Sequence, residues 1–407
     1  MQGSALSMTS GHSNQTKALG SYAQWIRTVI RRVRSDGNLL VSLFESSIPE
    51  PVTMVQELVA EGFGGDLTSR YTSAFASGNP YVVDHLAKSY DVTADQILCT
   101  TGATGALSLI YRALCSPGDH VLIENPCFDI FHALAGVESL HVDRFERCGT
   151  DFHIDPQEIE RRIHPKTKLI VLSNLHNPSG MEVTNEVLKD IADIAERHGI
   201  LVVVDEVYGP YSSHSIGAMA GMRVSPRIIS INSLTKIFGL STLRCGWIVA
   251  NADVLAPIRA LNDEVEFGIS NLAHAMAALV LDHQDRFMAY TTDILAHARP
   301  IFDSYWDYWL KEGLVLGKPP EYGCIAFPRL AGIEDTLGFS EWLANRGSVV
   351  VAPGEYFGRA GHVRLGIGLA PAKLDYGLQT FTDGLLNWRD DNAASPRKSQ
   401  HLASNQS

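Results

Sequence analysis

Lys236 stands in Ser233-Leu-Thr-Lys236-Ile-Phe-Gly-Leu-Ser-Thr-Leu-Arg244-Cys-Gly246-Trp, a Ser/Gly/Thr-rich loop between the apolar runs 228–231 and 247–250. Both runs read as buried strands, so the loop carries an ammonium group into the protein. Lysine is normally a solvated surface residue, and burial disfavours its charged form and lowers its pKa. A lowered pKa suits carbonyl chemistry, because only the neutral amine can form a Schiff base. Ser233, three residues before the lysine, and Arg244, eight residues after it, could both point at one anion. An amine for an aldehyde beside a site for an anion leads to the expectation that Lys236 holds pyridoxal 5′-phosphate.

Other stretches carry polar groups at the ends of candidate strands. Asp205 closes one and is followed by Glu206-Val-Tyr208. In an open α/β sheet, ligands sit outside the carboxyl ends of the strands. A carboxylate there could keep a pyridine nitrogen protonated and make the ring an electron sink. Tyr208, one short turn on, could donate to the ring's phenolic oxygen, although an aspartate here could also cap a turn. Asn177 also stands just after a candidate strand, in Ser173-Asn-Leu-His176-Asn177-Pro178-Ser179-Gly180, which is equally an ordinary turn sequence. Thr100-Thr-Gly102-Ala103-Thr104-Gly105 joins a strand to a helix and offers backbone N–H groups and a hydroxyl to an anion. It is neither a Walker sequence nor G-x-G-x-x-G. Phe128, after Pro126, could stack on a flat ring or pack in the core. Arg364 lies in the apolar stretch Val363-Arg364-Leu365, where an unpaired guanidinium would be very costly; a substrate carboxylate or a structural salt bridge would satisfy it.

These residues need elements to position them. From about residue 60 the chain alternates candidate strands (97–100, 120–124, 139–144, 168–173, 200–205, 228–231, 246–250) with candidate helices (80–90, 105–115, 129–135, 155–164, 185–196, 253–264). Continuous Val/Ile/Leu strands alternating with amphipathic helices indicate an α/β fold: a large domain whose mostly parallel seven-stranded sheet is flanked by helices. A helical region over 271–311 precedes short strands near 323–328, 349–352 and 363–366 and helices over 336–346 and 371–385, which read as a smaller α+β domain. The division expected is a disordered tail at 1–17, an N-terminal segment 18–60 (with a helix at 22–33) packing on the small domain, a large cofactor-binding domain 61–285, a small domain 286–390 and a disordered tail 391–407.

Composition excludes several classes. The 407 residues are 45% hydrophobic and 19% charged, as in ordinary globular enzymes, and the net charge of −12 speaks against a nucleic-acid partner. No run approaches 18 uncharged apolar residues, so no membrane span is expected. The six cysteines are scattered and fit reduced thiols in the cytoplasm. The histidines show no H-E-x-x-H spacing and join no C-x-x-C…H-x-x-x-H pattern, so no metal site is expected, and there is no G-x-S-x-G elbow.

Taken in chain order, Gly102-Ala-Thr, Pro126-x-Phe128, Asn177-Pro-Ser-Gly, Asp205-Glu-x-Tyr208, Ser233-x-x-Lys236, Arg244-x-Gly-Trp and Val363-Arg364-Leu resemble the class I/II aminotransferases of PLP fold type I, over about residues 80–370. The resemblance implies Lys236 as the Schiff-base lysine and proton shuttle, Asp205 at the pyridine nitrogen, Asn177 and Tyr208 at the phenolic oxygen, and Phe128 on the ring. It implies Ala103, Thr104, Ser233 and Arg244 on the phosphate, and Arg364 with Asn177 at the substrate. It further implies a homodimer, in which Tyr71 would reach the partner's phosphate, and substrates that are an amino acid and a 2-oxo acid. The family's N-terminal Gly-x-Pro phrase, which lines the substrate pocket, is replaced here by Leu43-Phe-Glu-Ser46-Ser-Ile-Pro49, closer to capreomycidine-synthase-like enzymes. The expected activity is transamination, and elimination, decarboxylation or cyclisation on the same cofactor is the alternative. The intact Lys236–Asp205–Arg364 set argues against a regulator that keeps only the fold.

Overall fold

A computed structural model describes residues 20–35, 40–75, 77–266 and 268–393. The tail expected at 1–17 lies outside the described residues, as does that at 391–407 except for 391–393, which continue the last helix. The chain divides into two units, residues 1–38 and 39–407. In the first, Tyr22–Ser35 forms the expected helix.

The second unit opens with the short strand β1 (Val41–Ser42) and is then built on β2 (Ile97–Thr101), β3 (His120–Asn125), β4 (His141–Glu146), β5 (Thr167–Ser173), β6 (Leu201–Asp205), β7 (Ile228–Ser233) and β8 (Cys245–Val249). The last seven form one sheet in the order β2-β8-β7-β6-β5-β3-β4. Only β8 runs antiparallel to its neighbours, β2 and β7. The strands read as unbroken apolar runs because both faces are covered. Val203 and Ile229 point into a core shared with Leu107 and Ile110 of the helix Gly102–Leu114. Val202 and Val204, one residue to either side, point into the opposite core with Leu188 and Ile191 of the helix Asn185–His198.

Beyond the sheet come β9 (Val315–Leu316), β10 (Ile325–Ala326), β11 (Arg329–Leu330), β12 (Val349–Val350), β13 (Ala352–Pro353) and β14 (Val363–Gly366). They form small sheets, β10-β14-β13, β9-β11 and β1-β12. Phe302, Trp306 and Trp309 of the helix Gln284–Lys311 pack here with Phe339, Leu365 and Phe381, and Val41 and Leu43 join the same core.

Several boundaries differ from expectation, three of them for a visible reason. The strand expected at 139–144 starts at His141, because Ser139 takes a left-handed φ of 57° in the turn that closes the preceding helix. The helix expected from 105 starts at Gly102, directly off β2. The helical region 271–311 is two helices, Asn271–Asp282 and Gln284–Lys311, separated at His283. β3, β5 and β6 are mutually parallel, so Asn125, Ser173 and Asp205 end at one edge of the sheet.

Candidate active site

The lysine stretch is a helical turn, not an open loop. Leu234–Ile237 forms one turn of helix, with the Ser233 hydroxyl accepting from the Thr235 N–H at 3.4 Å as its cap. The turn is held from behind: Tyr211 Oη donates to the Lys236 carbonyl at 2.5 Å, and the Thr291 hydroxyl donates to the Ile237 carbonyl at the same distance. Lys236 Nζ donates to Ser46 Oγ at 2.8 Å and lies 5.7 Å from the centre of the Tyr208 ring. Burial, reinforced by the charge of Arg364, lowers its pKa to about 8, while Cys324, Glu45 and Asp205 act in the opposite direction.

Asp205 faces the same space. Its carboxylate accepts from the Val207 N–H at 3.1 Å, and burial raises its pKa to about 7 against the pull of that hydrogen bond and of Lys236. Asp205 and Lys236 are deep in the fold, each keeps part of its surface accessible, and each feels the other's charge. Tyr208 is buried, but its hydroxyl donates to the Ser46 carbonyl at 2.9 Å and its ring stacks at 24° to that of Tyr211, 6.1 Å away. Arg364 on β14 is fully enclosed; Nη1 donates to Asn177 Oδ1 at 3.1 Å, Nη2 to the Phe44 carbonyl at 3.0 Å, and the guanidinium lies 4.8 Å from the centre of the Phe357 ring.

On the other flank, Arg244 adopts a left-handed φ of 49° and Nη2 donates to the Thr101 carbonyl at 3.3 Å, beside the first turn that holds Ala103 and Thr104. The approach is close enough to require glycine. A Cβ on Gly102 would fall 2.6 Å from Arg244 Nη2, and one on Gly246 would fall 2.4 Å from the Gly102 carbonyl carbon. Arg244 and the free N–H groups of a thirteen-residue helix thus meet at one point, where an anion is favoured. Phe128 is half-buried, with its ring edge-on to Phe131 at 6.4 Å. Tyr71 does not join the site within one chain: it is 42% exposed, and its ring contact is with Phe63.

Sequence reasoning missed several contributors. Ser46 and Phe44 come from the atypical N-terminal stretch, and only their chain position hinted at a role. Cys324 is buried with its thiol 3.5 Å from Tyr211 Oη. Beneath Asn177 lies a buried network. Glu124 accepts from Arg147 Nε at 2.7 Å and from the Ser173 N–H and hydroxyl at 2.8 and 2.6 Å. Ser173 Oγ in turn accepts from the Asn177 N–H at 3.0 Å. His176 spans from Ser179 Oγ to the Pro126 carbonyl, so the loops bearing Asn177 and Phe128 are tied together. The signal for this network was Glu124 at the end of an apolar run, which needs a partner once buried.

The model of the family "aminotransferase class I and II" matches residues 76–381. The chain belongs to this family. It is a pyridoxal-phosphate-dependent aminotransferase, acting on an amino acid and a 2-oxo acid. It is 27% identical to an aspartate aminotransferase of Pyrococcus horikoshii over 302 residues, 72% of this chain and 76% of the relative. It is 26% identical to the capreomycidine synthase of Streptomyces vinaceus over 291 residues, 71% of this chain and 74% of that one. In fold it is similar to a Thermus thermophilus aspartate aminotransferase double mutant, with a TM-score of 0.79 at 22% identity, covering 92% of this chain and 100% of that one. The donor set of this aminotransferase fits its cofactor: a depressed amine, a buried carboxyl opening on the same space, and an arginine beside a helix N-terminus where added Cβ atoms would collide.

Proposed function

We propose that Lys236 is the residue that carries pyridoxal phosphate in this aminotransferase, and the observation supporting it most directly is the depressed Lys236 amine opening on the same space as the Asp205 carboxyl. Asp205 would hold the pyridine nitrogen, Asn177 and Tyr208 the phenolic oxygen, and Phe128 the ring face; Ala103, Thr104, Ser233 and Arg244 would hold the phosphate. Bound there, the cofactor supplies an electron sink for a carbanion at the substrate α-carbon. Lys236 Nζ would take up and return the α-proton. Arg364, already oriented by Asn177 and Phe44, would grip the α-carboxylate in a bidentate fashion.

The proposed assembly is a homodimer with Tyr71 reaching the phosphate held by a second copy. Supporting this, Tyr71 stands among other exposed apolar side chains of the same stretch, Leu67 at 61% and Phe75 at 62%. The proposed domains are 61–285, which carries the large sheet, and 286–390, on which the end of the N-terminal segment, up to residue 60, packs; the joining of Val41 and Leu43 to the second core supports this. A cytoplasmic location is proposed on the six free thiols. Among the described residues, no helix is long and apolar enough to cross a membrane.

Borohydride reduction of the yellow protein should fix a cofactor tag on the Lys236 peptide; a tag elsewhere, or none, would overturn the assignment. Candidate amino acids added without an acceptor should convert the absorbance band to that of the pyridoxamine form. The likeness to a capreomycidine synthase supplies the competing outcome: release of ammonia or CO2 in place of that conversion.

A further inference from the structure

Within the stretch 43–49 only the Phe44 carbonyl has a part in the roles above, yet three side chains of the site bond to the stretch. Arg364 donates to the Phe44 carbonyl, Tyr208 to the Ser46 carbonyl and Lys236 to the Ser46 hydroxyl. Its backbone is clamped from the other side. The Gly366 N–H donates to the Leu43 carbonyl at 2.6 Å, and a Cβ at Gly366 would fall 1.8 Å from the Glu45 carbonyl oxygen. A Cβ at Gly239 would fall 2.7 Å from the Pro49 carbonyl oxygen. Ser46 Oγ therefore sits on a segment that cannot drift, 2.8 Å from Nζ, and it is the hydrogen-bond acceptor of that amine among the described residues.

We propose that Ser46 is a further catalytic residue: its hydroxyl holds the free Lys236 amine in place and accepts an N–H of the ammonium while that group carries a proton. This rests on Lys236 being the reactive amine. During the exchange a neutral amine takes up one proton, becomes an ammonium, and gives the same proton up, so no proton is gained or lost. An ammonium in this buried site lacks the water that would solvate it, and a fixed oxygen replaces part of that shell. The anchor also removes rotamer freedom from a four-carbon stem before the reaction needs it. The neighbouring Glu45 carboxylate acts in the same direction, favouring the charged form of Nζ.

The test compares Ser46→Ala with Ser46→Thr, which keeps the hydroxyl. In the cofactor-free protein, acetylation of Lys236 by acetic anhydride is followed across pH by peptide mass spectrometry. The midpoint should fall in Ser46→Ala, since the ammonium has lost an acceptor, and return in Ser46→Thr. In the holoenzyme, kcat should fall about tenfold in Ser46→Ala, the effect of one hydrogen bond to a charged group, with KM within about twofold. The isotope effect with α-deuterated substrate should rise. An unmoved labelling midpoint, or a loss confined to KM and thermal stability, would overturn the proposal. The borohydride tag separates the two failures. A tag off Lys236 in the unsubstituted protein refutes the parent assignment, whereas a tag on Lys236 with an unaltered Ser46→Ala refutes the role of Ser46 alone.

Discussion

In Gly246→Ala the new Cβ would lie 2.4 Å from the Gly102 carbonyl carbon, 2.6 Å from its Cα and 2.7 Å from the Ala103 nitrogen. All three are main-chain atoms, so no side-chain rotation relieves the contact. Ordinary contact begins at 3.4 Å, so the strand β8 and the first turn of the helix Gly102–Leu114 must separate by 1.0 Å (3.4 − 2.4). Overpacking of this kind costs about 1–3 kcal/mol, which a protein of this size survives folded. The same displacement moves the Ala103 and Thr104 N–H groups away from Arg244, and a misplacement of about 1 Å can cost on the order of 10²-fold in a positioned interaction. Equilibrium titration of the cofactor-free protein with pyridoxal phosphate should therefore show affinity weakened about 10- to 100-fold, with urea unfolding displaced by only the smaller amount. Gly102→Ala should weaken binding as well, because its Cβ would meet Arg244 Nη2 at 2.6 Å and its φ of +76° adds the left-handed cost of about 1–2 kcal/mol. A Gly246→Ala protein that binds the cofactor with unchanged affinity would refute the idea that this contact sets the phosphate turn.

Asp205 makes the cofactor-free protein sensitive to pH. Its pKa is about 7 when folded and near 4 when unfolded, so the folded state binds the extra proton between those values and stability falls as pH rises from about 4 to about 7. The difference in thermal midpoint between Asp205→Asn and the parent should grow across that window in favour of the variant and then level off; a constant difference would show that the carboxyl is not perturbed. Breaking the buried Glu124–Arg147 pair with Glu124→Gln should cost about 3–5 kcal/mol in urea unfolding by leaving a lone guanidinium, and the double variant with Arg147→Met should recover much of it. Equal losses in single and double variants would contradict that origin. Arg364→Ala should raise KM for α-amino acids about 10- to 100-fold, from loss of a charge-assisted grip, and an unchanged KM would place the carboxylate elsewhere.

What the sequence by itself determined were the parts of the site dictated by local pattern. Unbroken runs such as Leu201-Val-Val-Val demand burial on two faces, hence a parallel sheet, and that sheet puts Asp205 and Ser173 at one edge. The order of short motifs along the chain then identified the family, with Lys236 at its centre. Tertiary structure decided what depends on distance across the chain. The separation of 190 positions between Ser46 and Lys236 carries no periodicity that could announce a 2.8 Å contact. Nor does Glu124 reveal that its partner is Arg147, because a buried carboxylate only states that some cation must come. Helix and strand register propagate over a few residues through fixed backbone geometry, whereas the meeting of separate strand ends is set by how whole elements pack. The lysine's place beside a buried strand was therefore legible early, and the oxygen that holds its amine was not.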